Sequence, residues 1–213
     1  MLDRVQRGLE QLYRIETALD IRDFLLDEAG RDAFAPARSP REQLLVAEKD
    51  GDLELGLFVD AAALANLAAR DPHHRLDDEN LGDFLLTVEG VSHFVYVAWR
   101  ARARRSCSAL ELELQAEIDK YVTCLLMLLP RGGRGAASGL RPRLFDAWQL
   151  APGMDSDERE RYLVANSNAR AYAGRLEQRY VARDDVGAMF GELRWFYRLG
   201  VHEKLAHISR AAP

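Results

Sequence analysis

Residues 77–129 read DDENLGDFLLTVEGVSHFVYVAWRARARRSCSALELELQAEIDKYVTCLLMLL. In the first half of this stretch, apolar residues recur three and four positions apart, as they do on the buried face of a helix. In the second half the same spacing connects Leu110, Leu114, Ile118, Tyr121, Leu125 and Leu128. Ser108 and Glu111 match a capping box, which marks the start of a helix. The stretch therefore predicts two long antiparallel helices that are joined by a short Arg/Ser turn.

Polar side chains lie beside these apolar stripes. Glu89 and His93 are four residues apart and share a helix face, with Tyr96 on the same side. In an antiparallel pair that turns near Ser106, His93 is level with Asp119. A histidine between two carboxylates can bind a divalent metal, or it can act as a general base that a carboxylate orients. Glu89, His93 and Asp119 are therefore the candidate catalytic residues of a metal-assisted hydrolase.

The alternative for this group is a structural role. His93 projects away from the core direction of its helix, and Asp119 points away from the apolar stripe of its own. A flanking histidine with an ordinary hydrogen bond explains the same pattern. The chain has no H-E-x-x-H, C-x-x-C or G-x-S-x-G motif. The sequence therefore identifies no cofactor or metal, and it leaves open whether the protein is an enzyme.

A second candidate site lies near the C-terminus, where Arg194, Trp195, Phe196, Tyr197 and Arg198 follow one another. Successive residues on a helix point about 100° apart, so three consecutive aromatic side chains cannot all face one core. At least one of them is expected on a second surface, and protein interfaces are enriched in aromatic residues and arginine. These five residues are predicted to bind a protein partner or a second copy of the chain. Packing of this helix between two others is the alternative.

Residues 131–143 are rich in glycine and arginine, and a loop is expected there because Pro130 should end the preceding helix. Arg131 and Arg134 flank two glycines in this loop, an arrangement that can cradle a phosphate. The chain has no phosphate-loop lysine pattern, and its net charge is −5. An acidic balance disfavours nucleic acid as a partner.

Residues 43–59 carry the clearest β pattern. Two apolar segments flank Asp50-Gly51, a favoured hairpin turn, and the second segment alternates in period two. Asp60 is expected to cap the helix that follows. The apolar group at residues 19–26 is expected to be helical.

These patterns predict a mainly α (α+β) fold: a helical domain built on the long antiparallel helix pair, with one β-hairpin in the N-terminal third. Residues 1–130 would hold the N-terminal helices, the hairpin and the pair. Residues 131–143 would form the Gly/Arg-rich loop, and residues 144–213 a helical part packed on the same domain.

The subcellular location is predicted from the cysteines, the N-terminal sequence and the length of the apolar runs. The two cysteines are predicted on one helix, too far apart to bridge, and thiols fit a reducing compartment. The N-terminus lacks a signal-peptide core, and no apolar run reaches the length of a membrane span. These features favour a cytoplasmic protein with no membrane contact. The leading hypothesis is a non-catalytic protein-interaction or regulatory component.

Overall fold

The computed structural model of the protein describes residues 1–34, 40–49, 52–137, 139–147 and 154–210. The structure is 70% helical, and a small mixed sheet of three strands lies in the N-terminal third. The predicted mainly α (α+β) class is confirmed. The Asp50-Gly51 turn lies outside the described residues, but the two strands that it joins are present.

In chain order the described helices and strands are α1 (Leu2–Tyr13), β1 (Leu25–Leu26), α2 (Glu28–Phe34), β2 (Glu42–Lys49), β3 (Asp52–Val59), α3 (Ala61–Ala69), α4 (Leu81–Arg102), α5 (Ala109–Ala137), α6 (Leu140–Phe145), α7 (Ser156–Arg179), α8 (Val186–Tyr197) and α9 (Val201–Ser209). Two short 3₁₀ turns also occur, at Ile21–Phe24 and Val181–Arg183.

The chain forms two compact units. The first unit comprises Met1–Gln11 and Ile15–Ser106, and the second comprises Leu12–Arg14 and Cys107–Pro213. Of the two long helices predicted as a pair, α4 therefore belongs to the first unit and α5 to the second.

In the first unit, a sheet in the order β1-β3-β2 packs on α4. The hairpin register pairs Leu44 with Leu57, and β1 pairs in parallel with the end of β3. The helix predicted at residues 19–26 is present only as the 3₁₀ turn at Ile21–Phe24, because Leu25 and Leu26 pair with β3 as a short strand. Asp60 caps α3 as predicted, since its side chain accepts a hydrogen bond from the backbone of Ala62.

Helix α4 is the central helix of the first unit. It is the one described helix whose length and composition would suit a membrane span, and 72% of that window is buried inside the fold. Phe84, Val88, Val91, Phe94 and Val95 are fully enclosed. An apolar helix that is buried by its own protein has the character of a core helix.

In the second unit, α5 packs against α6 and α7. Helix α7 is polar overall, but its buried positions include Ala165, Ala169 and Ala173, small residues that let another helix approach closely. Asp155 begins α7 with a complete capping box, in which Glu158 is the reciprocal partner.

The loop predicted for residues 131–143 is largely helical. Helix α5 continues through Pro130 to Ala137, and α6 begins at Leu140. A proline inside a helix removes one backbone hydrogen bond and costs about 3 kcal/mol. The packing of α5 against α6 and α7 offsets that cost, which the local sequence does not show.

Both cysteines are thiols that form no disulfide. Cys124 lies within α5 and is fully buried, whereas Cys107 precedes α5 and is half-buried. Burial in apolar surroundings raises the pKa of the Cys124 thiol to about 12.

Candidate functional site

In the first unit, His93 lies beside a carboxylate that the sequence pattern does not reveal. Its Nδ1 is 3.7 Å from Oε1 of Glu42, the first residue of β2, and each side chain is only 9% exposed. This separation is too long for a hydrogen bond but short enough for an ion pair when the imidazole is protonated. The arrangement resembles a general base next to an orienting carboxylate.

A glycine on α4 makes room for this pair. A Cβ placed at Gly90 would lie 2.9 Å from Cγ and Oε1 of Glu42, and 3.1 Å from Cδ1 of Leu57. Real Cβ atoms are almost never found at the shorter distance. The absence of a side chain at Gly90 therefore lets Glu42 lie against α4, one turn before His93.

The other predicted members of this group are placed differently. Glu89 is half-buried on α4, and Tyr96 is fully buried in the first unit. Asp119 belongs to the second unit, so its pairing with His93 stays a prediction. Glu42 was missed because it lies on a strand far from His93 in sequence. A glutamate on the apolar face that carries Leu44 was the available signal.

Within the described residues, no group of three or more histidine, cysteine, aspartate and glutamate side chains is placed to hold a metal ion. The metal-assisted form of the hydrolase hypothesis therefore lacks a ligand set in this part of the chain.

In the second unit, four polar side chains form an enclosed hydrogen-bond network. Tyr13 donates a short hydrogen bond from its hydroxyl to Oδ1 of Asp119. Gln115 donates through Nε2 to the same Asp119 oxygen at 2.8 Å, and its Oε1 accepts from Lys204 Nζ at 2.7 Å. All four side chains are at most 1% exposed. We call Tyr13, Gln115, Asp119 and Lys204 the buried network.

The surroundings of the buried network favour a structural role. Burial, and then the negative charge of Asp119, raise the pKa of Tyr13 well above its ordinary value. The Lys204 ammonium lies 5.5 Å from the ring centre of Phe196, and the Tyr13 ring stacks on Tyr197 at 3.9 Å. The cation–π contact and the hydrogen bond to Gln115 stabilise an ammonium that solvent does not reach. Asp119 was predicted to point outward; it is in fact part of this interior.

The aromatic run on α8 divides between core and surface, as the spacing predicts. Phe196 and Tyr197 are each 1% exposed, whereas Trp195 is 49% exposed. Phe196 stacks on Tyr172 with ring centres 4.2 Å apart. Of the three aromatic residues, Trp195 alone therefore remains available to a partner.

The two arginines of this run bind the backbone at the end of α1. Arg194 donates through Nε to the carbonyl oxygen of Leu12 at 2.8 Å. Arg198 donates to the carbonyl oxygens of Tyr13 and Arg14 at 3.1–3.2 Å. The last carbonyls of a helix have no partner inside the helix, so these contacts cap α1. Arg14 itself has φ 51°, a left-handed conformation that costs a non-glycine residue about 1 kcal/mol.

Beside Trp195 an open groove of about 290 Å³ separates α8 from α9. We call it the α8–α9 groove; its lining residues are Trp195, Leu199, His202, Glu203, Ala206 and Arg210. The Glu203 carboxylate is already engaged, since it accepts a hydrogen bond from the backbone of Gly200 at 2.9 Å.

His207 supports the indole of Trp195 from the protein side. The two rings meet edge to face, with centres 4.7 Å apart. Nε2 of His207 lies 2.7 Å from Oε1 of Glu192, and this contact fixes the imidazole. The sequence pattern gave His207 no role, because its carboxylate partner lies on a different helix.

The predicted phosphate contact is only partly described. Arg131 is exposed on α5, while the side chain of Arg134 lies outside the described part of the chain. Arg141, at the start of α6, forms an ion pair with Glu177 at 2.9 Å. Phosphate binding at Arg131 and Arg134 stays a prediction.

No protein-family model, no curated protein and no solved structure matches this chain.

Proposed function

We propose that the protein is a non-catalytic component that works through a protein partner, which binds at Trp195 and the α8–α9 groove. The observation that carries this proposal is the contrast in exposure between Trp195, at 49%, and its buried neighbours Phe196 and Tyr197. Tryptophan is among the residues that contribute most to binding energy at protein interfaces. The adjoining groove has room for an apolar side chain of the partner.

The rigidity of α8 supports the same proposal. Phe196 and Tyr197 anchor the helix in the core of the second unit, and Arg194 and Arg198 tie it to backbone carbonyls. The edge-to-face contact with His207 restrains the indole of Trp195. An anchor residue that is already fixed loses little conformational entropy on binding, and this favours affinity.

The test compares wild type with Trp195→Ala in affinity purification under native conditions, read by quantitative mass spectrometry. Leu163→Ala is the matched control, since Leu163 is a 52% exposed apolar residue on α7. We expect at least one protein, or a second copy of the chain, to be retained by wild type and Leu163→Ala and lost with Trp195→Ala.

Light scattering of the purified protein over a concentration series separates self-association from binding of another protein. A chain that stays monomeric, and that captures the same proteins with and without the indole, contradicts the proposal.

We propose the cytoplasm as the location, because the two cysteines are thiols and α4 is buried in the fold. Cell fractionation with an antibody against the chain tests this placement, and recovery in a membrane or secreted fraction would contradict it.

A second candidate function is general-base catalysis by His93, which the adjacent Glu42 carboxylate favours. His93→Ala and Glu42→Gln should then abolish hydrolysis of a chromogenic ester or phosphoester that wild type cleaves. Metal analysis of protein purified without chelator shows whether an ion takes part. If neither variant changes activity or metal content, this candidate fails.

A further inference from the structure

Three arginines in the second unit lie together without an acidic partner. Arg194 and Arg198 bind only backbone carbonyls and ring faces, and Arg14 has an exposed side chain. In the described part of the chain, no carboxylate lies within ion-pair distance of any of the three. We call Arg14, Arg194 and Arg198 the basic cluster.

The positive charges of the cluster act on one another at Arg194. Burial, followed by the positive charges of Arg14 and Arg198, lowers the pKa of Arg194. Like charges this close disfavour one another unless an anion joins them.

Other arginines of the same unit are arranged differently. Arg141 pairs with Glu177 at 2.9 Å, and Arg170 pairs with Asp146 at 2.6 Å. The chain as a whole has a net charge of −5, so acidic residues are abundant. The three arginines of the basic cluster thus differ from Arg141 and Arg170, each of which has a carboxylate partner.

The basic cluster adjoins the exposed indole. Trp195 and Arg198 are three residues apart on α8 and are neighbours on the helix surface. Arg198 is exposed, and Arg210 lines the α8–α9 groove beyond Trp195. Cationic groups thus flank an apolar anchor position.

We infer that this surface receives an acidic peptide segment of the partner: carboxylates of the segment pair with Arg14 and Arg198, and one apolar side chain enters the α8–α9 groove beside Trp195. This inference rests on the proposed function and names the chemistry of the partner. Arginine binds carboxylates through two parallel hydrogen bonds, which supplies orientation as well as attraction.

The surface suits a peptide better than a nucleic acid. Its groove is lined in part by the apolar side chains of Trp195, Leu199 and Ala206, which suit an apolar side chain of a peptide. A phosphate-tracking surface needs a continuous line of cations, and the net charge of −5 opposes a long polyanion.

The test is selection of a random peptide display library on the full-length protein, with parallel selections on Trp195→Ala and Arg14→Glu. Arg14 is chosen because its side chain makes no hydrogen bond or ion pair in the described part of the chain, so its reversal leaves the fold intact. Arg183→Glu is the matched control, an exposed arginine of the same unit with the same change of net charge.

We expect wild type and Arg183→Glu to enrich peptides that combine several Asp or Glu residues with one apolar residue. Arg14→Glu and Trp195→Ala should not enrich them. In fluorescence anisotropy, the most enriched peptide should bind Arg14→Glu about tenfold more weakly than wild type, because reversal of a charge replaces attraction with repulsion. Its affinity should also fall as sodium chloride is raised.

The outcomes separate the two proposals. Peptides that need Trp195 but are neutral or basic, or that bind Arg14→Glu as well as wild type, overturn the acidic-partner inference and leave the proposed function standing. Failure to enrich any peptide that needs Trp195 overturns the acidic-segment inference, whereas the affinity purification with Trp195→Ala decides the proposed function. Tighter binding of a single-stranded oligonucleotide than of the best peptide, lost in Arg14→Glu, would assign the cluster to nucleic acid instead.

Discussion

The first unit carries surface carboxylates whose pKa is lowered, whereas the second carries buried tyrosine hydroxyls whose pKa is raised. In the first unit, hydrogen bonds from Arg22 hold the pKa of Asp20 at about 2. The pKa of Asp71 is also about 2. Burial alone would raise this pKa, but the backbone N–H of His73 and the Arg4 guanidinium lower it by more.

In the second unit, burial is the first cause of the raised pKa of Tyr13, Tyr121 and Tyr172, and nearby carboxylates add to it. Exposed ion pairs contribute little to stability, whereas enclosed polar groups are costly when a partner is lost. The comparison predicts that losing a partner costs more at these enclosed polar groups of the second unit than at the exposed ion pairs of the first.

The largest effect is expected at Lys204. Lys204→Ala removes a charged donor to Gln115 and a cation that faces two aromatic rings. We expect the free energy of unfolding to fall by about 3 kcal/mol, because a charged hydrogen bond and a buried side chain are lost together. Urea denaturation followed by circular dichroism measures the change. Arg183→Ala, at an exposed position of the same unit, should stay within about 0.5 kcal/mol of wild type. Equal effects of the two would show that enclosure adds nothing to the cost of losing Lys204.

The second largest effect is a loss of stability of the second unit at alkaline pH. The folded second unit keeps the Tyr121 proton while the unfolded chain releases it near pH 10, so stability is full below that pH and falls as the pH rises further. Each retained proton steepens the fall by about 1.4 kcal/mol per pH unit. Tyr121→Phe should reduce the slope by that amount in urea titrations above pH 10. An unchanged slope would show that Tyr121 ionises normally.

The third effect, which is smaller, is expected in the first unit at Gly90 of α4. Gly90→Ala places a Cβ against Glu42 and Leu57, and overpacking costs about 1–3 kcal/mol, partly offset by better helix propensity. Gly82→Ala is the control in the same helix, because nothing lies within 4 Å of its Cβ position. We expect Gly90→Ala to melt at a lower temperature than Gly82→Ala. The reverse order would mean that Glu42 moves aside freely.

The smallest effect is expected at Asp71. Its lowered pKa stabilises the fold above about pH 4, and this contribution is lost as the pH falls toward 2. Arg4, its partner at 2.9 Å, has a side chain that is 46% exposed, so solvent screens the pair. Asp71→Asn should cost less than about 1 kcal/mol at pH 7 and nothing near pH 2, measured by thermal melts across this range. A cost above 2 kcal/mol would show that the first unit also depends on its ion pairs.

Much of the fold follows from local sequence. Period-two alternation identified β3, the Asp50-Gly51 turn signal placed β2 before it, and helical spacing identified α4 and α5. Strand β1 was missed because two residues carry no periodicity, and their partner in β3 is far along the chain. The course of α5 through Pro130 depends on packing against other helices, which overrides the local cost of proline.

The candidate sites were less predictable, because polar contacts join residues that are distant in sequence. Helix geometry alone predicted that at least one of the three consecutive aromatic residues is exposed, but not that it is Trp195. The contacts of Glu42 with His93 and of Tyr13 with Asp119 did not follow from helix geometry, since each pair spans separate elements. A polar residue on an otherwise apolar face was the available signal, and it marks a position without naming its partner.

Cys107 and Cys124 differ in how readily an alkylating reagent can reach them. Alkylating reagents attack the thiolate, and a fully enclosed thiol with a pKa of about 12 supplies almost none at neutral pH. Cys107, half-buried ahead of α5, is the accessible thiol of the pair. A maleimide dye therefore attaches to Cys107 in the native chain without mutagenesis. The rate at which Cys124 is labelled then reports how often the second unit opens, because the reagent reaches this thiol only when the core around α5 unfolds.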